Sequence, residues 1–182
     1  MTGQPSRVHR SAAISRCGNF RWWLRREWSD GPAVVWVMLN PARADDARDD
    51  PTIRRVIGFS RSWGYGSAIV ANLFPFRSTI PAECRAWARS NPSQVRRRMR
   101  ENDRAITEAI GDAASVIAAW GTVPWARARA AEMASHLNSA PSSLLCLGTT
   151  LDGSPLHPLA RGRNRVPDDR KPTLWVPARE TC

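Results

Sequence analysis

Four short apolar runs, separated by segments with helical spacing, constrain the fold of this chain more than any other feature. The first, AVVWVML at 33–39, is rich in β-branched residues and has no polar side chain, which is typical of a strand buried on both faces. Similar runs follow: SAIVANLF at 67–74, SVIAAWG at 115–121 and SSLLCLG at 142–148. Because strands alternate with helical segments, the sequence predicts an α/β three-layer sandwich with a mainly parallel central sheet of about four strands.

The length of 182 residues suits one sizeable hydrophobic core. We expect a single α/β domain over residues 20–160. The polar segment 1–19 is rich in Arg and Ser and predicts a mobile N-terminal tail. Residues 161–182 form an Arg- and Pro-rich C-terminal extension, and the TLWV stretch at 173–176 is a candidate edge strand within it.

The chain is strongly basic, with a formal net charge of +11 in which Lys171 is the only lysine. Two explanations stay open, because arginine forks suit phosphate and carboxylate ligands whereas genomic base composition can also favour arginine codons. The charge in either case favours polyanions, so nucleic acid or a nucleotide is the expected partner. The oligomeric state is not determined by the sequence.

Membrane and metal signals are missing from the sequence. No apolar run approaches the ~18 residues of a membrane span, and the N-terminal segment lacks a continuous hydrophobic region. We therefore expect no membrane partner and a cytoplasmic location. The cysteines are scattered without a C-x-x-C pair, which does not suggest a zinc site, and no cofactor or metal is predicted.

Polar residues follow the predicted strands, and parallel strands place their carboxyl ends at one edge of a sheet. Asn40 and Pro41 end the first strand, and the amide of Asn40 offers both a donor and an acceptor. Two interpretations stay open: the amide orients a water or a polar ligand, or it bonds the backbone of the turn. We list Asn40 as a catalytic candidate and Pro41 as a substrate-binding one.

The second and third strand ends add further candidates for substrate binding. Asn72, Phe74 and Arg77 combine a planar amide, an aromatic face and a guanidinium, as recognition of a nucleobase and of a phosphate requires. The alternative is that Phe74 belongs to the core and that Arg77 is a surface charge. Trp120 ends the third strand and joins this set.

An acidic stretch, ADDARDD, follows the Asn-Pro pair and contains Asp45, Asp46, Asp49 and Asp50. Asp50 precedes Pro51, which suits a cap and first turn of a helix predicted over 51–64. Asp45 is freer to act in catalysis or to pair with an arginine. Carboxylates in this number can also bind a divalent cation, although the Ca²⁺ loop pattern is missing.

The segment LGTTLDGSPLHPLA, 147–160, carries His157 between two prolines, in a backbone held extended. A histidine in such a loop donates a hydrogen bond or stabilises developing negative charge, whereas many lone histidines are structural. We take His157 as a catalytic candidate, and Ser154 and Pro158 of the same loop as substrate-binding candidates. The sequence has no G-x-S-x-G elbow, P-loop or dinucleotide-binding glycine pattern.

These segments, in order from about residue 20 to 160, resemble the uncharacterised DUF1643 family; RWWLRREWS, VMLNPARADD, VANLFPFRST and CLGTTLDGSPLHPLA carry the likeness. A second resemblance, in the order of strands ending in Asn-Pro, Asn, Trp-Gly and His-Pro, is to the uracil-DNA glycosylase superfamily. That resemblance implies a glycosylase-like fold in which Asn40 positions water, Asn72 recognises the base and His157 stabilises the leaving base. It also implies an aromatic that stacks on the base, for which Phe74, Trp63 and Tyr65 are candidates.

Three functions follow as hypotheses. The first is hydrolysis of an N-glycosidic bond in DNA or in a nucleotide. The second is a non-catalytic nucleic-acid-binding module, suggested by the charge and by the arginine run Arg96, Arg97, Arg98 and Arg100. The third is a metal-dependent nucleotide hydrolase that uses the Asp45–Asp50 cluster.

Overall fold

The computed structural model of the chain describes residues 8–42, 44–139 and 142–175. The strands are β1 (His9–Ile14), β2 (Arg21–Glu27), β3 (Ala33–Met38), β4 (Ser67–Asn72), β5 (Ser115–Ala118), β6 (Ser143–Cys146) and β7 (Thr173–Leu174). The helices are α1 (Pro51–Ser62), α2 (Pro81–Ala88), α3 (Pro92–Gly111) and α4 (Arg127–Asn138). The predicted α/β class is confirmed.

The strands join one mixed sheet in the order β1-β2-β4-β3-β5-β6-β7. The pairings β3–β4, β3–β5 and β5–β6 are parallel, and the pairings β1–β2, β2–β4 and β6–β7 are antiparallel. The prediction of a mainly parallel sheet of about four strands is therefore wrong for the sheet as a whole. Parallel order is confined to the central strands, whose apolar runs were recognisable because they are buried on both faces.

The two flanking strands at the N-terminal side explain this difference. RWWLRRE alternates aromatic and charged residues and forms β2, which lies between β1 and β4. Residues 9–14 were expected to belong to a mobile tail, but they pair with β2 as the edge strand β1, which corrects that expectation. The strand HRSAAI lacks a strong apolar pattern, so its partner and not its own sequence stabilises it. Residues 1–7 of the tail lie outside the described residues.

The opposite edge is formed by β7, which pairs antiparallel with β6. Its two residues fall within the stretch 173–176, for which an edge strand was predicted. Trp175 follows β7 and packs edge-to-face on Trp120, with ring centroids 5.1 Å apart. Residues 176–182 of the predicted C-terminal extension lie outside the described residues.

The sheet is covered on both faces, because alternate residues of β3 face different helices. Val35 and Val37 pack in one core cluster with α2, α3 and α4, whereas Val34 and Trp36 pack in a second cluster with α1. The indole of Trp36 donates a hydrogen bond to Ser60 Oγ of α1 at 3.0 Å, which satisfies a buried N–H on the second face. The layers are therefore helix, sheet and helix.

The start of α1 matters for the site because α1 is the next element of the chain after β3. Asp50 Oδ1 accepts a hydrogen bond from the backbone N–H of Ile53 at 2.9 Å, and Pro51 occupies the first turn. The predicted cap is confirmed. No helix in the described residues is both long and apolar enough to cross a bilayer.

Candidate functional site

A cavity of about 340 Å³ lies at the carboxyl ends of the parallel strands. Its walls come from the start of β2, the ends of β3 and β4, the first turn of α1 and the loops after β5 and β6. The residues that line it are Arg21, Met38, Leu39, Asn40, Ala42, Asp50, Thr52, Ile53, Asn72, Ser78, Thr79, Pro81, Trp120 and His157. Open α/β sheets commonly hold ligands at this edge.

The structure brings together four residues that sequence reasoning selected as candidates. Asn40, Asn72, Trp120 and His157 all line this cavity, although 117 positions separate the first from the last. The cause is the common direction of β3, β4, β5 and β6, which puts their carboxyl ends side by side. The residue roles remain proposals, because shared walls do not define a reaction.

Arg21 was not among the candidates, and it is the most buried charged group of the cavity. The residue is 2% exposed and is the first residue of β2. Its Nη1 donates to Ala44 O at 2.8 Å and its Nη2 donates to Asn72 Oδ1 at 3.3 Å. Burial lowers the pKa of Arg21 to about 9, and Asp50 acts in the opposite direction. The signal in the sequence was an arginine opening a strand next to aromatic residues.

Asn72 accepts two hydrogen bonds, and the next residue along the chain accepts a third. Its side-chain oxygen accepts from Arg21, and its backbone carbonyl accepts from Asn102 Nδ2 of α3 at 2.9 Å. The next carbonyl, that of Leu73, accepts from Arg129 Nε of α4 at 3.1 Å. Buried polar groups that are hydrogen-bonded in this way fix a single geometry. The group of Asn72 left for a ligand is Nδ2, which is a donor.

Asn40 has the opposite polarity. Its Nδ2 donates to the backbone carbonyl of Ser78 at 2.8 Å and lies 3.2 Å from the carbonyl of Pro41. The interpretation that Asn40 bonds the turn backbone therefore holds for its nitrogen. The group left for water or a ligand is Oδ1, which is an acceptor.

His157 is oriented by its own loop. The backbone N–H of Leu159 donates to His157 Nδ1 at 3.0 Å, so the neutral ring carries its proton on Nε2. Burial lowers the pKa of His157 below its usual 6.5, and the negative charge of Asp50 opposes that shift. The loop is anchored because Gly121 N–H donates to Pro155 O and Leu156 N–H donates to Gly148 O, each at 2.9 Å. Near pH 7 the imidazole is therefore a neutral donor.

Asp50 is the second residue that the sequence did not select for chemistry, because capping explained it. One oxygen does cap α1, yet the residue also lines the cavity. Within the described residues, Oδ2 accepts no hydrogen bond. A carboxylate with one oxygen fixed by a backbone N–H and the other free is well placed to accept a proton.

Two predicted residues have structural roles outside the cavity lining. Asp45 Oδ1 accepts from the backbone N–H groups of Ala47 and Arg48 at 2.9 and 2.8 Å, which closes a turn and lowers the pKa of Asp45. The turn gives Asp45 a structural role, and its expected catalytic role stays a prediction. Arg77 Nη1 donates to Gly18 O at 2.9 Å, so Arg77 fastens the segment before β2 and does not contact the cavity directly.

Phe74 and Pro41 do not line the cavity either, and their substrate-binding roles stay predictions. Phe74 is buried in the core on the α2–α4 face, with its ring 5.1 Å from that of Trp125. Pro41 is buried, and its carbonyl accepts from Ser78 N–H at 2.9 Å. The rival stacking candidates Trp63 and Tyr65 follow α1 and precede β4, at the other edge of the sheet. Trp120 is the aromatic residue that the structure places in the cavity wall.

Ser154 and Pro158 flank His157 without lining the main cavity. Ser154 lies on a smaller neighbouring cavity of about 40 Å³, together with Trp120 and Asp152. Its carbonyl accepts from Thr150 N–H at 2.9 Å, which closes the loop. Pro158 is buried beside His157. Both residues therefore shape the loop, and the substrate-binding role predicted for them stays a prediction.

Within the described residues, the acidic stretch does not form the metal cluster that the third hypothesis requires. Asp49 pairs with the buried Arg26 at 2.7 Å and with Arg10 at 3.2 Å, while Asp50 caps α1. Among the described residues, no three His, Cys, Asp or Glu side chains group as metal ligands do. The carboxylates were attractive as a set in the sequence, but Asp45, Asp49 and Asp50 each have their own partner in the fold.

A mixed α/β sheet with a polar crevice at the carboxyl ends of its parallel strands defines the class to which this chain belongs. Within that class the chain belongs to the family described as Protein of unknown function (DUF1643), whose profile matches residues 21–159. The family expected from the sequence is thus confirmed. Comparisons with curated proteins and with solved structures give no match. The resemblance to the uracil-DNA glycosylase superfamily therefore gains no support from them.

Proposed function

We propose that the cavity binds a nucleotide or a related base-bearing ligand and that the protein hydrolyses its N-glycosidic bond. The observation that carries the proposal is the meeting of Asp50, Asn72 and His157 in one cavity. One is a carboxylate with a free oxygen, and the other two are neutral donors of fixed orientation. Hydrolysis with a leaving base needs both an acceptor for a proton of water and donors for the departing base.

The polarity of the cavity favours a ligand rich in acceptors. Asn72 Nδ2 and His157 Nε2–H are both donors, so they suit the carbonyl oxygens of a base more than its amino groups. The volume of about 340 Å³ is near the lower end of the usual range for small-molecule sites, about 300–1,000 Å³. A single nucleoside or nucleotide fits this scale.

In the proposed reaction, Asp50 Oδ2 takes a proton from a water whose orientation Asn40 Oδ1 helps to fix. The water oxygen attacks the sugar carbon of the glycosidic bond, and that bond breaks with its electron pair going to the base nitrogen. The neutral His157 Nε2–H donates to a carbonyl oxygen of the base as negative charge develops there. The proton held by Asp50 returns to the base, so a free base and a sugar hydroxyl are formed.

The experiment is a base-release assay on the purified full chain. The panel contains nucleosides, nucleoside monophosphates and single-stranded oligonucleotides with normal, deaminated and alkylated bases, and free base is measured by chromatography. Asp50→Asn retains the oxygen that caps α1 and removes the proton acceptor, so we expect the rate to fall by about 10²–10⁴-fold with the fold intact.

Asn138→Ala is the matched control, since Asn138 is exposed at the end of α4 and does not line the cavity. It leaves the rate of base release unchanged. Absence of release from every member of the panel overturns the proposal. An Asp50→Asn rate equal to that of the unmodified chain overturns the role of the carboxylate.

A second candidate function, nucleic-acid binding without chemistry, is supported by the helical surface of α2 and α3. Its exposed arginines include Arg85, Arg96, Arg97, Arg100 and Arg104. Arg98 does not share this surface, because its guanidinium lies 4.8 Å from the ring centre of Phe20 and donates to Glu101. Titration with single-stranded DNA and RNA at two salt concentrations tests this function.

Steep salt dependence without base release supports the second candidate, as does its loss in an Arg96→Gln, Arg100→Gln double variant. Binding that is equally strong in the double variant removes the arginines of α3 from this role. Base release by the same preparation favours the first candidate.

A further inference from the structure

Among the residues that the structure describes, the guanidinium of Arg21 is a buried cation without a carboxylate partner. Within the described residues, its hydrogen-bond acceptors are Ala44 O and Asn72 Oδ1, and its Nε has none. The ion pairs of the described residues leave Arg21 out. Charges of this kind are rarely buried in proteins unless a counter-charge compensates for the lost hydration.

Arg21 also has donor capacity to spare. A guanidinium carries five N–H groups, and the two contacts to Ala44 and Asn72 use one from each terminal nitrogen. Because Arg21 lines the cavity, the remaining N–H groups of the terminal nitrogens are donors available to a ligand there. Planar forks of this type suit carboxylate and phosphate oxygens.

The charges around Arg21 do not neutralise it. Asp50 and Asp45 act on it favourably, whereas Arg77 and Arg26 act against it. Arg26 is already neutralised by Asp49, and Asp45 is committed to its turn. Arg77 is bonded to a backbone carbonyl, and its Nε is a second buried donor without a partner. Among the residues that the structure describes, Asp50 is thus the one carboxylate in the cavity wall, and Arg21 is the one guanidinium there.

We propose that the Arg21 end of the cavity is an anion-binding subsite, so that the ligand carries a phosphate or carboxylate group there. This inference rests on the proposed function only in taking the cavity as the ligand site. It narrows the proposed substrates, nucleosides and nucleotides, to those that carry an anionic group. The bound anion completes the hydrogen bonding of Arg21 and supplies the missing counter-charge. Arg77 supports the site through its field, without direct contact.

The test is a titration of the full chain with inorganic phosphate and with acetate, at ionic strength held constant with chloride. Binding is followed by the melting temperature and by tryptophan fluorescence, since Trp120 lies in the cavity wall. We expect phosphate or acetate to raise the melting temperature where chloride does not. A phosphate response specifies a phosphorylated ligand, and an acetate response without one specifies a carboxylate.

Arg21→Gln abolishes the response, and Arg21→Lys weakens it by about tenfold, because an ammonium keeps the charge but loses the fork. The second variant keeps the proposal testable where the first does not fold. Arg163→Gln is the control, since Arg163 is exposed and does not line the cavity, and it binds the anion as the unmodified chain does.

Equal responses to phosphate, acetate and chloride overturn the subsite, as does an Arg21→Lys variant that binds the anion as tightly as the unmodified chain. The two proposals fail separately. Anion binding without base release overturns the glycosidic reaction and leaves the subsite intact. Release of base from nucleosides and nucleotides at equal rates, with no anion response, does the reverse.

Discussion

Arg21 donates a hydrogen bond from Nη2 to Oδ1 of Asn72 at 3.3 Å, across the edge of the sheet between β2 and β4. Since a guanidinium can only donate, this contact decides which end of the amide faces Arg21. The amide nitrogen of Asn72 is thereby left for the cavity. One buried contact fixes both a cation and a neutral donor at the ligand site.

Replacement of Asn72 tests that relationship. Asn72→Asp gives Arg21 a carboxylate partner of almost identical shape, so we expect the anion response of the cavity to disappear, a loss of tenfold or more in affinity. Asn72→Leu supplies no counter-charge, so we expect the response to persist, but the buried guanidinium is less satisfied, at a cost of about 1–3 kcal/mol in the free energy of unfolding. Urea denaturation and phosphate titration of both variants separate the two effects. A smaller stability loss for Asn72→Leu than for Asn72→Asp contradicts the account.

Asp49 is predicted to contribute far more to stability than Asp46, an acidic residue of the same loop. It pairs with Arg26, which is 1% exposed and ties β2 to the loop before α1. Asp49→Asn leaves that guanidinium without its counter-charge, so we expect a loss of about 3 kcal/mol, the lower end for a broken buried pair, because the amide oxygen still accepts. Asp46→Asn, at an exposed position of the same loop, is the control and changes the free energy by less than about 0.5 kcal/mol. Equal urea midpoints for the two variants refute this prediction.

His157 gives the folded chain a dependence on pH. Because burial lowers its pKa below 6.5, the unfolded chain takes up a proton here at a higher pH than the folded chain does. The contribution of His157 to stability is therefore complete above 6.5 and is lost as the pH falls through the lower pKa of the folded state. Each unit of depression corresponds to about 1.4 kcal/mol.

Urea denaturation at about pH 7.5 and about pH 5 measures this effect. His157→Gln is expected to lose less stability between the two pH values than the unmodified chain. His136→Gln, at an exposed position on α4, is the control and behaves as the unmodified chain does. Identical losses for all three proteins show that His157 does not titrate in this way.

The thiols Cys17 and Cys84 are expected to differ strongly in reactivity. Cys84 lies on the buried face of α2, and this burial raises its pKa to about 12. A hydrogen bond with the Ser15 side chain lowers the pKa of the exposed Cys17. Iodoacetamide therefore modifies Cys17 in the native protein, and Cys84 only after urea is added. Peptide mass spectrometry assigns the sites. Modification of Cys84 at the rate of Cys17 in native buffer shows that α2 is not docked as described.

Much of the site could be predicted because a strand with two buried faces is recognisable from its own residues. AVVWVML is apolar throughout, so Asn40 stood out directly after it. SAIVANLF is mostly apolar, so Asn72, the last residue of β4, stood out within it. His157 stood out because two prolines flank it. The family was recognisable for the same reason, since these segments carry its pattern over residues 21–159.

Arg21 and Asp50 could not be found in that way. Arg21 begins β2, and β2 runs antiparallel to β4, so its first residue and not its last lies at the cavity edge. A rule based on the ends of parallel strands passes over such a residue. Asp50 was explained by capping, and nothing in the neighbouring sequence indicates that this residue also lines a cavity. Conversely, Phe74 followed a strand end, but its ring turned into the core against Trp125.

The sequence by itself determined the α/β class, the central strands, the cap of α1 and the grouping of Asn40, Asn72, Trp120 and His157, because each depends on hydrophobic periodicity or strand direction. Only the tertiary structure decided the antiparallel flanks of the sheet, the partners of the aspartates and the placing of Arg21 against Asn72. These depend on contacts between residues distant in the chain. A buried charge takes whatever partner the packing brings to it, and local sequence does not record that partner.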